Sequence, residues 1–219
     1  MKNMYDAEYF NQTYGYLKDD DSYLIRAKIA FKKYFADIPH LEKKNILEVG
    51  AGLGKNIFHL GNAYAYDTSK FANEFCQNKG IKTVETIKKN TYDLIASIHS
   101  LEHMKEPLAF LQDIHSRLKE GGTLLLVLPF EEHKYVDHFQ PDSNNHLYSW
   151  NFRSINNLLQ LAGFKIMKNE FIFEGIGYKK LKRLYRFSPI GMYLVTSLIT
   201  TMFFRKQREL KIIASKDGS

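Results

Sequence analysis

The chain has 219 residues, 44% of them hydrophobic and 25% charged, with a net charge of +7. That length suits one domain with one core, and that balance excludes wholesale disorder. The lone Cys76 excludes an internal disulfide, and no Cys/His cluster has zinc spacing, so no metal is expected.

The elements follow in chain order. An aromatic stretch opens the chain, with Tyr5, Tyr9, Phe10, Tyr14 and Tyr16. After the acidic run Asp19 to Asp21, Ser22 is a suitable N-cap for a helix over Tyr23 to Phe35. Residues 1–44 thus form a helical and aromatic cap ahead of the first strand. Asn45 to Val49 is a short apolar strand that runs into Gly50-x-Gly52-x-Gly54. A helix is expected after these glycines, then a second strand from Asn62 to Tyr66 that closes on Asp67. Ser69 to Lys79 reads as a helix halted by Gly80, and Lys82 to Glu85 as a weak third strand. Asp93 to Ile98 is the fourth. Pro107 starts a helix that runs to Lys119 and stops at Gly121-Gly122. Thr123 to Leu128 is a continuous apolar run, as in a strand buried on both faces. Ser154 to Ala162 is a helix, Phe164 to Phe173 contains a sixth strand, and Leu210 to Ala214 is a seventh. Strands alternating with helices predict an α/β fold with a mostly parallel sheet covered on both sides.

The glycine loop lets a ligand approach bare backbone, and a helix N-terminus behind it adds donors. Lys55 stands where the GxGxxG dinucleotide fingerprint would place its third glycine. Glu48, two residues before Gly50, would gain nothing from a pyrophosphate but suits a cationic ligand. A carboxylate at Asp67 can accept hydrogen bonds from both ribose hydroxyls of an adenosine, or serve as a turn residue before Ser69.

Glu48-Val-Gly-Ala-Gly-Leu-Gly54 resembles motif I of class I methyltransferases. Tyr66-Asp67 resembles the acidic end of their second strand. Tyr92 to His103, ending in Leu101-Glu102-His103, is similar to the fourth strand and following turn of a small-molecule branch that includes the quinone-biosynthesis methyltransferases. Leu118-Lys-Glu-Gly-Gly122, His146-Leu-Tyr-Ser-Trp150 and Ala162-Gly-Phe164 resemble further segments of that branch. The resemblance implies a three-layer Rossmann-like fold, with a seven-stranded sheet ordered 3-2-1-4-5-7-6 and its last strand antiparallel. It implies S-adenosyl-L-methionine as cofactor, held by Glu48, Gly50, Gly52 and Asp67. The neighbouring Ala51, Gly54, Thr68, Ser97 and His99 complete the candidate cofactor set. Glu85 is the nearest candidate for the adenine amine.

Methyl transfer from a sulfonium relies on positioning, with a base needed for a hydroxyl or acidic-carbon acceptor. Histidine suits that task at neutral pH. His99 and His103 follow the fourth strand, at the edge where open α/β sheets bind ligands. His133, His138 and His146 lie in a long loop after the fifth strand. His146 and His103 are the catalytic candidates. The amino-methylating Asn/Asp-Pro-Pro-Tyr/Phe pattern is absent after the fourth strand, so an oxygen acceptor is favoured and nucleic acid is not an expected partner.

Residues 174–208 form a basic and apolar helical insert. Residues 165–219 hold 12 Lys/Arg against 4 Asp/Glu, and the rest of the chain holds 19 against 20. Lys179 to Arg186 is strongly basic, and an uncharged run from Phe187 to Phe204 follows. Ser188-Pro189 starts a helix there. It either packs on protein, in the core or a dimer interface, or docks on an anionic membrane surface through 179–208. The second alternative suits a lipid-linked acceptor; a small molecule or glycan remains open. The first residues lack the apolar core of a signal peptide, so the expected setting is cytoplasmic, or peripheral at the membrane. The whole chain reads as one methyltransferase domain. A non-catalytic methyltransferase-like module and an NAD or nucleotide-sugar enzyme are the alternatives.

Overall fold

The computed structural model describes residues 7–14, 19–130, 145–173, 178–203 and 208–217. One seven-stranded sheet, ordered β3-β2-β1-β4-β5-β7-β6, forms the centre. Its strands are β1 Ile46–Val49, β2 Ala63–Tyr66, β3 Lys82–Thr83, β4 Tyr92–Ile98, β5 Leu118–Phe130, β6 Phe164–Phe173 and β7 Arg208–Lys216. β1 to β5 are parallel, and β7 runs antiparallel to both β5 and β6. The expected order and the reversed last strand are both present.

Alternation along β5 explains the three layers. Leu124, Leu126 and Leu128 join a core on one face with Leu111, Ile114, Ile155 and Leu159. These last four come from the helices α4 Pro107–Arg117 and α5 Phe152–Leu161. Leu125 and Val127 point the other way, into a core with Ala30, Tyr34, Phe35 and Cys76. Those residues belong to α2 Asp20–Ala30, to the wider π turn Phe31–Phe35 that continues it, and to α3 Lys70–Asn78. Because both faces are covered, β5 reads as an uninterrupted apolar run.

Several local expectations need correction. Asp19, not Ser22, is the residue before α2, and Ser22 lies buried inside the helix with its hydroxyl donating 2.6 Å to Asp19 Oδ2. No helix follows the glycine loop: residues 50–62 form linked turns, with Ile57 N donating to Gly54 O and Leu60 N to Ile57 O. Few residues separate Gly54 from Gly61, too few for a stable crossover helix. α4 stops at Arg117, and the glycines lie inside β5. Gly121, at φ +70°, helps form an irregularity that moves the β4–β5 register between Tyr92/Leu118 and Leu94/Thr123. β3 is only two residues long. α5 begins at Phe152, because Asn151 and Ser154 form a reciprocal capping box that puts Ser154 at N3.

The insert contains α6 Tyr178–Phe187 and α7 Pro189–Phe203. Tyr185 and Tyr193 pack on Ile25 of α2. Thr196, which dilutes the apolar run, is buried and satisfied by the Tyr185 hydroxyl at 2.7 Å and the Met192 carbonyl at 2.7 Å. Arg186 pairs with Asp21 of α2. β6 ends and β7 begins opposite Phe130, at Phe173 and Arg208. The insert therefore leaves and rejoins the sheet at its carboxyl edge, the edge that also carries the glycine loop.

Candidate active site

The glycine loop is shaped by internal packing as much as by any ligand. Gly50 and Gly54 have φ of +73° and +70°. A Cβ on Gly50 would lie 2.1 Å from Ser100 Oγ, and one on Gly54 would lie 2.5 Å from Ile81 Cδ1. Gly52 (φ +51°) would face the ring of Phe10 at 3.5 Å. Phe10 comes from α1 Ala7–Tyr14 and clusters with Tyr23, Leu53 and Ala72. Phe10 thus packs against the loop, and Tyr9 packs on the same cluster. Tyr5 and Tyr16 fall outside the described residues.

Three side chains brace the loop. Asp67 Oδ2 accepts from Gly52 N at 2.8 Å, and Oδ1 accepts from Ser69 N at 2.8 Å. The Tyr23 hydroxyl donates to Leu53 O at 3.0 Å. The Cys76 thiol donates to Gly52 O at 3.4 Å, and burial pushes it up to about 12, so it is an inert packing group. Thr68 is exposed next to Asp67, and Ala51 is buried. Tyr23 was not legible as a loop partner, since it does not stand at a motif position.

Glu48 is fully buried. Its Oε1 accepts from Asn56 Nδ2 at 2.6 Å, and Asn56 Oδ1 accepts from Lys55 Nζ at 2.6 Å. Among the described residues nothing hydrogen-bonds Glu48 Oε2. Burial raises its carboxyl to about 7, against the lowering effect of Asn56 and Lys55. A buried carboxylate with an orphaned oxygen fits a cationic group of a ligand, and Asp67 retains lone pairs for hydroxyl donors. The residues present thus fit S-adenosylmethionine, which Glu48, the 50–54 backbone and Asp67 would hold.

A second group of polar residues gathers where β4 ends. Ser97 is fully buried with no hydrogen bond to its hydroxyl among the described residues. His99 adopts φ +54° and lies between two acids, with Nε2 3.2 Å from Glu209 and Nδ1 3.6 Å from Glu102. Burial alone would lower its pKa, but the Glu209 and Glu102 carboxylates dominate and raise it to about 9. Glu209 also meets Lys33 at 2.7 Å in a buried ion pair. Burial opposes ionisation of Glu209, yet Lys33 and His99 hold it down at about 2.

His103 and His146 are distant in sequence but adjacent in space, with ring centroids 5.0 Å apart. The segment after residue 144 docks on the Leu101–His103 turn: Leu147 N donates to Glu102 O at 2.8 Å, and the Tyr148 hydroxyl to Lys105 O at 3.0 Å. Tyr148 stacks on Trp150. His133 and His138 lie outside the described residues. His115 is half-buried against Phe164 and is remote from this edge.

No curated protein matches this chain significantly. Solved structures give the fold. One is a chain of the complex between the Haloferax volcanii Trm112 methyltransferase activator and a methyltransferase, with 13% identity, TM-score 0.66 and 100% of both chains covered. A SAM-dependent methyltransferase from Thermotoga maritima aligns at 12% identity and TM-score 0.65, covering 96% of this chain and 99% of that one. Another from Archaeoglobus fulgidus aligns at 17% identity and TM-score 0.61, covering 93% and 100%. The methyltransferase domain family matches residues 20–169, more than half of the chain. With its motif I loop, reversed last strand and sheet order, the chain belongs to that family and is an S-adenosylmethionine-dependent class I methyltransferase.

Proposed function

We propose that this enzyme methylates an oxygen of an apolar, lipid-like acceptor at the cytoplasmic face of an anionic membrane, in the manner of the quinone-biosynthesis branch. The observation that carries the reading is an uncovered apolar stripe on the insert. Phe187, Ile190, Leu194, Val195 and Leu198 are all exposed, Phe187 at 94%. Tyr185, Tyr193 and Thr196, on the opposite side, are buried. A contiguous exposed stripe of this kind marks an interaction surface. Exposed Arg183, in a stretch whose sequence is rich in basic residues, supplies charge for anionic headgroups. Among the described residues no helix is long and apolar enough to cross a membrane. The 15 residues of α7 would reach only about 22 Å, against a hydrocarbon core of about 30 Å. Docking in the interface suits that length.

The insert joins the sheet at the edge bearing His99, so an acceptor held in a membrane surface would approach there. When bound, the cofactor supplies an electrophilic methyl group on a sulfonium, which the acceptor oxygen takes as its O–H proton departs. The cluster Glu102, His103 and His146 faces the acceptor oxygen in this reading, with His99 positioned by Glu209 behind it.

Two measurements test this. Vesicles containing anionic lipid should co-sediment the protein, and binding should fall at least tenfold in a Leu194→Ser/Leu198→Ser variant and with added salt. A dimer in solution with no vesicle binding would assign the stripe to protein instead. In cell extract, labelled methyl groups should partition into the lipid fraction. No transfer at all would favour a non-catalytic binding module.

Glu48 gives a separate expectation. If it faces the cationic ammonium of the cofactor, binding favours its ionised form. S-adenosylhomocysteine affinity should then fall by up to about tenfold per pH unit below about 7. Calorimetry across that range on wild type and Glu48→Gln checks this; an equal slope in both would assign the titration elsewhere.

A further inference from the structure

We infer that Glu102, His103 and His146 form a binding site for one divalent transition-metal ion of the zinc class. One ligand atom from each lies within 4.8 Å of the others. Rotation of the side chains would bring them to the roughly 3.4 Å expected between ligands about 2.1 Å from a tetrahedral centre.

Three independent features support a site rather than a chance meeting. First, Glu102 is completely buried, and neither carboxylate oxygen has a hydrogen bond among the described residues. Its nearest basic atoms are His99 Nδ1 at 3.6 Å and His103 Nε2 at 4.0 Å. The His99 ring offsets part of that charge from one side, and a cation held on the His103 side would complete the compensation of a buried carboxylate without hydrogen bonds. Second, His103 Nδ1 faces the Asn145 carbonyl at 3.2 Å, and a carbonyl can only accept. In the neutral ring Nδ1 therefore carries the proton, and Nε2 turns its lone pair toward Glu102. Metal-binding imidazoles are commonly oriented in this way. Third, His146 is brought in by a docked segment, held by the Leu147–Glu102 backbone bond and the Tyr148–Lys105 bond. The two histidine side chains remain only partly buried.

Two imidazoles and one carboxylate suit zinc or iron(II) rather than magnesium, which prefers an all-oxygen shell. Three protein ligands leave an open position for an acceptor oxygen. An ion there would lower the pKa of a bound hydroxyl, so that the O–H bond breaks with the proton passing to solvent while the electron pair stays on oxygen. This role rests on the methyl-transfer reading; the binding of the ion does not. The spacing of Cys and His along the chain gave no hint of it, because His146 arrives from a distant loop.

The test uses the metal-stripped full chain titrated with Zn2+ and with Co2+, whose visible absorption reports coordination by nitrogen and oxygen. One ion per chain is expected. Affinity should fall at least 100-fold in His146→Ala, which lies on a surface segment and should fold normally, and in Glu102→Gln. His115→Ala should bind as wild type does. Undiminished binding in His146→Ala, no binding by wild type, or a preference for Mg2+ would each overturn the site. S-adenosylhomocysteine binding is measured in parallel. Its loss in wild type would remove the methyl-transfer reading while leaving the metal result to be judged by itself.

Discussion

Replacing Asp67 with alanine is expected to weaken cofactor binding by at least about 100-fold. The carboxylate has two tasks. It holds the loop, accepting from Gly52 N on one oxygen and Ser69 N on the other, both at 2.8 Å. Each oxygen keeps a further lone pair, which the proposed ribose hydroxyls would use. Hydrogen bonds to a charged group contribute about 1.5–3 kcal/mol each, and 1.4 kcal/mol is tenfold in affinity, so two lost contacts exceed about 100-fold. Asp67→Asn should be nearly as damaging as Asp67→Ala. Its amide NH2 would face a backbone N–H on one side, so donor meets donor and the loop must shift. A residue needed only for ribose would tolerate asparagine better, since an amide can still donate to a hydroxyl. Calorimetry with S-adenosylhomocysteine measures the change, and a thermal melt confirms folding. Wild-type affinity in Asp67→Ala would mean that the cofactor sits elsewhere.

Asp67 also marks how far the sequence could be read. Strand, glycines and acid occur in the expected order, and β1, β4 and β5 announce themselves as apolar runs because both of their faces are covered. The helix expected between Gly54 and Asn62 does not form. The periodic pattern there is too short to show the difference between one helix and linked turns, so the loop lacks a helix N-terminus behind it. The glycines are legible, yet their reasons are only partly so. Gly50 and Gly54 are required by Ser100 and Ile81, contacts made across the fold. In the same way His103 and His146 were legible as histidines at the ligand edge, but their meeting depends on a docked segment. The Lys33–Glu209 pair left no trace at all. A lysine in a helix and a glutamate at the start of the last strand are ordinary residues until the sheet brings β7 under the π turn.

That pair should govern acid stability. Lys33 and Glu209 are both buried, 2.7 Å apart, and His99 lies 3.2 Å from the same carboxylate oxygen. Lys33→Met leaves Glu209 buried with His99 as its one remaining partner among the described residues. Breaking a buried pair from one side typically costs about 3–5 kcal/mol. For a chain of this size that is a drop in Tm of roughly 6–20 °C. The pH dependence has a definite sign. Glu209 is held at about 2 in the folded chain, below its usual carboxylate value, so its contribution is complete above about pH 4.5 and is lost as pH falls toward 2. Without Lys33 the carboxyl should take up its proton at higher pH. The deficit of Lys33→Met relative to wild type should therefore be largest near neutrality and shrink on acidification. Lys33→Met/Glu209→Gln should lose less than the two single variants combined, because neither charge is then stranded. Melting curves of the three variants between about pH 3 and pH 7 decide the matter. A Tm difference that stays constant across that range would show that Lys33 acts through packing alone, and that Glu209 takes its low pKa from His99.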